Sequence, residues 1–132
     1  MITMKRILEE NKFTYIVGLF LLAGYSLPGS AVELVRESNS LLHLILADPL
    51  LHLYSFGFFA FVLGWERSRV FKFTGRQWII VGIIALAYGL FIEIYQLLLP
   101  YRGTQVGDVI WDIIGIALGL GVAYGVLAWR KH

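Results

Sequence analysis

Seven residues of this chain have types and spacing that could do chemistry: Asp48, His52, Glu93, Gln96, Arg102, Asp108 and Asp112. His52 follows Asp48 by four positions, and Asp112 follows Asp108 by four, so each pair shares one face if its segment is helical. Ser55 continues the first stripe. Histidine exchanges protons near neutral pH. Glu93 and Asp112, brought together, would give an acid–base pair, so His52, Glu93 and Asp112 are the catalytic candidates. An imidazole with two carboxylates is also a ligand set for a divalent metal, which would activate water. No cofactor is required by the sequence, and a divalent metal is the one it allows. Arg102 suits recognition of phosphate or carboxylate through two parallel hydrogen bonds. No serine sits in a recognisable nucleophile motif, and there is no cysteine.

What must position these groups is a set of apolar segments. The 132 residues form one domain, 1–132, that is 58% hydrophobic and only 15% charged, with mean hydropathy +0.74. A soluble domain carries about 25% charged residues and could not hide this much apolar surface at this length. Four stretches read as membrane helices: Phe13 to Leu27, about Pro49 to Trp65, Trp78 to Leu99, and Val109 to Trp129. A spanning helix needs roughly 20 apolar residues. The third and fourth fit. The second is short unless it extends back through Leu41 to Ala47, and the first unless it begins near Ile7 with Lys12 snorkelling. Gly29-Ser30-Ala31 matches a signal-peptide cleavage site only weakly, so the first stretch is expected to remain as a helix. The segment Ser30 to Ala47 reads as an interfacial or re-entrant piece.

Charge orients the bundle. Lys5, Arg6, Lys12, Arg67, Arg69, Lys72, Arg76, Arg130 and Lys131 are nine of the eleven basic residues and fall on one side. The positive-inside rule predicts cytoplasmic termini in a multi-pass cell-membrane protein. Arg36 and Arg102 then lie in outward loops, and the seven polar residues of three helices converge near the outer leaflet. This distribution speaks for topology and against nucleic acid.

Each residue also has a plainer role. Asp48-Pro49 and Asp108 are good helix starts. Glu93 lies inside an apolar helix, where an unpaired charge costs roughly 2.5 kcal/mol or more, so pairing with Arg102 or His52 is its structural role. Gly82 and Gly89 share the Glu93 face; Gly115 and Gly119 share the Asp112 face; Gly121 and Gly125 form a second small pair. These stripes suit helix packing, within the chain or in a homo-oligomer. Trp65, Trp78, Trp111 and Trp129 fit interfacial belts.

The pattern resembles the VanZ-like family over roughly residues 13 to 128. Asp48 to His52 is similar to its Asp-x3-His opening, Glu93 and Gln96 to its Glu-x2-Gln, Pro100 to Arg102 to its Pro-x-Arg, and Asp108, Asp112 and Gly115 to its Asp-x3-Asn-x2-Gly. Three positions depart: Pro49 stands for the usual Lys, Leu53 for an aromatic, and Asp112 for Asn. The resemblance implies a link to resistance against teicoplanin-type lipoglycopeptides. The expectation is therefore an all-α, four-transmembrane-helix bundle that binds membrane lipid or a lipid-linked ligand. An intramembrane enzyme and a small transporter subunit are the alternatives.

Overall fold

The computed structural model describes residues 3–103 and 105–131. Seven helices follow one another: α1 (Met4–Glu10), α2 (Lys12–Tyr25), α3 (Gly29–Glu37), α4 (Ser40–Ile45), α5 (Asp48–Val70), α6 (Gly75–Leu97) and α7 (Val106–Trp129). Among the described residues there is no strand.

Two helices, α6 and α7, are long and apolar enough to cross a membrane. A third span is possible only if α2 and α3 count together, and these meet at 90°. Alone, α2 has 14 residues and is about 21 Å long, short of a bilayer core of about 30 Å. The bend has a local cause. Pro28 carries no N–H and disfavours helical backbone at the residue before it, so α2 stops at Tyr25 and α3 restarts in a new direction. The expected count of four spans is thus not established by length and composition, and the first stretch is cut at both ends. Asn11 departs from helical backbone, and its side chain donates back to the Ile7 carbonyl at 2.8 Å. The expected extension from Ile7 through Lys12 is therefore interrupted.

The second stretch grows in the opposite direction from the one considered. Leu41 to Ala47 do not join it; Ser40–Ile45 form a separate helix. Instead α5 runs on past Trp65 to Val70 and reaches 23 residues. It packs on α1, α2, α6 and α7, and eight of its residues are buried, among them His52 and Glu66. These two face neighbouring helices, which is why α5 tolerates them in an apolar bundle. Large apolar side chains on the outer faces of α6 and α7, such as Ile79, Ile83, Leu97 and Leu118, stay exposed, as lipid-facing side chains do. Phe56, Phe59, Leu63, Val81, Ala85, Ile92 and Ile116 form the core between the helices.

Glu66 ties α2 to α5. Its carboxylate is 1% exposed and accepts from Phe13 N at 3.0 Å and from Thr14 N and Oγ1, both at 2.7 Å. Those amides are orphan donors of the first turn of α2, where Asn11 supplies no side-chain cap. A negative charge there also meets the positive end of the helix dipole. Replacing Glu66 by Ala should cost about 2–4 kcal/mol, because buried hydrogen bonds to a charged group are lost and donors are left bare. Glu66→Gln should cost less, since one acceptor remains. Reversible unfolding in detergent or bicelles measures both; equal stability of Glu66→Ala and the wild type would contradict this role.

Candidate functional site

The site begins where two backbones touch. A Cβ placed on Gly115 would overlap the Leu53 carbonyl oxygen, and one on Gly119 would overlap the Gly57 carbonyl oxygen. From the other side, a Cβ on Gly57 would lie 3.0 Å from the Gly115 carbonyl oxygen. Only glycine permits this approach, the close-packing use of small residues in membrane helices. Asp112 stands one turn before Gly115, and His52 immediately before Leu53. The glycine contact therefore sets imidazole against carboxylate: His52 Nδ1 lies 2.7 Å from Asp112 Oδ1. Both side chains are buried, at 4% and 1% residue exposure. Gly89 of α6 adds room, since a Cβ there would meet Asp112 Oδ2 at 3.0 Å.

Two more carboxylates surround His52. Glu93 Oε1 is 3.8 Å from Nδ1, and Asp108 Oδ2 is 3.8 Å from Nε2. Among the described residues, the ion pairs of Glu93, Asp108 and Asp112 run to His52 alone. One base thus faces three acids drawn from α6 and α7. Both oxygens of Glu93 and Oδ2 of Asp112 are buried with no hydrogen-bond partner among the described residues.

The other expected members have different partners. Gln96 Nε2 donates to the Tyr25 carbonyl at 3.1 Å, joining α6 to α2. Arg102 Nε donates to the Leu27 carbonyl at 2.9 Å and does not pair with Glu93. Asp48 pairs with Arg36, whose Nε also donates to the Leu46 carbonyl at 2.8 Å. Neither expected helix start is a cap. Ala47 and Gln105 occupy the N-cap positions, so Asp48 and Asp108 lie inside the first turns. Gly121 and Gly125 face open space, and a Cβ at either would meet no atom within 4 Å among the described residues.

Beside these groups lies one cavity of about 390 Å³. Asp48, His52, Ser55, Gln96, Arg102 and Asp108 give it polar atoms, while Phe20, Leu21, Val32, Val35, Leu46 and Leu51 give it apolar wall. Glu93 and Asp112 lie behind His52 and outside the lining. Two participants escaped the sequence reading. Tyr25 packs its ring 5.0 Å from the imidazole, and nothing in its spacing marks it. Arg36 had a signal, being one of the two basic residues on the sparsely charged side.

Gly119→Ala should destabilise the protein by about 1–3 kcal/mol, the usual cost of overpacking. Gly121→Ala, in open space on the same helix, should leave stability unchanged or raise it by up to about 1 kcal/mol, the helix preference of alanine over glycine. Unfolding both in bicelles tests the α5–α7 contact. Equal effects would contradict it.

Comparison with known proteins adds one finding. No curated protein and no solved structure matches the chain. A family model described as VanZ/LLP1 matches residues 12–128, which include every helix that lines the cavity. The chain is a membrane protein of the VanZ-like family.

Proposed function

We propose that this protein binds an amphiphile of the cell envelope, a lipid or a lipoglycopeptide, with its tail along the apolar wall of the cavity and its anionic head on Arg102. The observation that carries this reading is the division of one cavity into an aliphatic and aromatic wall and a polar end. Its size is within the range of small-ligand sites. Among the described residues only the Nε of Arg102 is engaged, by the Leu27 carbonyl, which leaves its terminal nitrogens to chelate phosphate or carboxylate. Family membership favours a lipoglycopeptide or a lipid of the same pathway over an unrelated ligand.

In this reading α2, α5, α6 and α7 thread the membrane, and α3 and α4 lie along the outer interface. The exposed Leu34, Leu41 and Leu44 would enter the headgroup boundary. Short α2 then crosses with help from its neighbours. Both termini and the Arg67–Arg76 turn face the cytoplasm, and the cavity opens outward.

The His52–Asp112 hydrogen bond supports a second reading, an intramembrane hydrolase or transferase. Conversion of a lipid-linked phosphate by the wild type, lost in Glu93→Gln, would favour it over simple binding.

Titrating nanodisc-embedded protein with a lipid-linked phosphate, and separately with a teicoplanin-type lipoglycopeptide, tests the binding reading. Arg102→Ala should weaken binding about tenfold or more, since hydrogen bonds to a charged group contribute roughly 1.5–3 kcal/mol. Equal binding would remove the anchor. The cysteine-free chain also allows a clean topology test. A single cysteine at Gly103 should react with an impermeant reagent added outside intact cells, and one at Gly75 only after permeabilisation. Both positions are open. The reverse pattern would overturn the orientation.

A further inference from the structure

The three acids around His52 have a second use. We propose that His52, Glu93 and Asp112 bind one divalent transition-metal ion between α5, α6 and α7. One donor atom from each of the three lies within 4.8 Å of the other two, and all three residues are buried. An acidic cluster alone would not suffice. Here the carboxylates are nine-tenths or more buried, and three of their oxygens have no partner among the described residues. A bare carboxylate oxygen in an apolar bundle is costly, and a cation satisfies several at once.

The charges balance. Two carboxylates and a neutral imidazole offset a +2 ion without a further counterion. The spacing also suits an ion. Four-coordinate zinc, with bonds of about 2.0–2.2 Å, sets its donors about 3.4 Å apart. The Nδ1 distances of 2.7 Å to Asp112 and 3.8 Å to Glu93 bracket that value. Seating the ion opens the first contact by about 0.7 Å and closes the second by about 0.4 Å.

Asp108 completes the arrangement. A metal on Nδ1 requires the proton on Nε2, and Asp108 Oδ2 stands 3.8 Å from that nitrogen. A carboxylate hydrogen-bonded to the far side of a ligating imidazole is the usual outer-shell support, and Asp108 would reach Nε2 with a shift of under about 1 Å. The donor set is one nitrogen and two carboxylates, which suits Zn²⁺, Mn²⁺ or Co²⁺ better than Ca²⁺ or Mg²⁺, ions that favour all-oxygen ligands. Three protein ligands leave a fourth position open on an ion that lies behind His52, a lining residue of the cavity. This inference does not rest on lipid binding, and its test uses metal alone.

The experiment is a titration of chelator-treated, detergent-solubilised full-length protein with Zn²⁺ by calorimetry and with Co²⁺ by visible absorption. The wild type should bind one ion per chain, with Co²⁺ giving the intense bands of a low-coordinate site and Ca²⁺ and Mg²⁺ failing to compete. His52→Gln keeps His43 and His132, so adventitious binding there cancels; it should lose the Co²⁺ bands. Asp108→Asn leaves the ligands in place and should weaken affinity about 10- to 100-fold. Folding of each variant is checked by its unfolding transition. Should His52→Gln fail to fold, the wild-type stoichiometry and the Asp108→Asn shift decide the matter. No stoichiometric binding by the wild type, or Co²⁺ spectra unchanged in a folded His52→Gln protein, would overturn the site.

Discussion

Where two helix backbones come into contact, side chains are excluded from between them, and whatever lies one turn away is forced together. That constraint governs this protein. Gly57, Gly115 and Gly119 bring α5 and α7 to contact. The register of that contact sets His52 against Asp112. Lipid gives no hydrophobic drive for helices to associate, so close packing and interhelical hydrogen bonds must hold the pair. The glycines supply the first and the His52–Asp112 bond the second. The remaining elements build on this pair. Helix α6 lays Glu93 beside it, and Gly89 leaves room for the Asp112 carboxylate. Helix α2 is tied at its amino end by Glu66 and at its carboxyl end by Gln96.

The two ends of α2 show a division of labour. At one end a buried carboxylate caps bare amides, a contact whose effect is stability. At the other end the chain turns through 90° at Pro28, and α3 covers one side of the cavity with Val32 and Val35. Arg36 then clamps the segment by reaching both the Leu46 carbonyl and Asp48. One side of the cavity is thus walled by a short excursion of chain that has no buried residue of its own.

Local spacing made part of this legible in the sequence. The i,i+4 step from Asp108 to Asp112, continued by Gly115 and Gly119, fixes one face of α7 whatever it packs against. The same holds for Glu93 and Gln96 on α6. Convergence of these faces followed from the alternating direction of the helices. Partner choice was not legible, because it depends on which backbones meet. Asp48 goes to Arg36, Arg102 to a carbonyl, and Glu93 to neither arginine. Glu66 carries no local signal in the sequence; its use as a cap for another helix is tertiary. Helix ends were misjudged for a related reason. Residues 66–70 continue α5 because Glu66 has a buried partner, although their polarity suggested a stop. The α2–α3 bend was signalled by Pro28, but the length lost by α2 through Asn11 was not.

The central claim is that His52 and Asp112 interact directly across the α5–α7 contact. A double-mutant cycle on reversible unfolding in bicelles measures it, using His52→Ala, Asp112→Ala and the double variant. Removing either partner alone strands the other in a buried site, so the double variant should be less destabilised than the sum of the singles by about 0.5–3 kcal/mol. Strictly additive effects would mean that the two side chains do not meet, and the account built on their contact would fail.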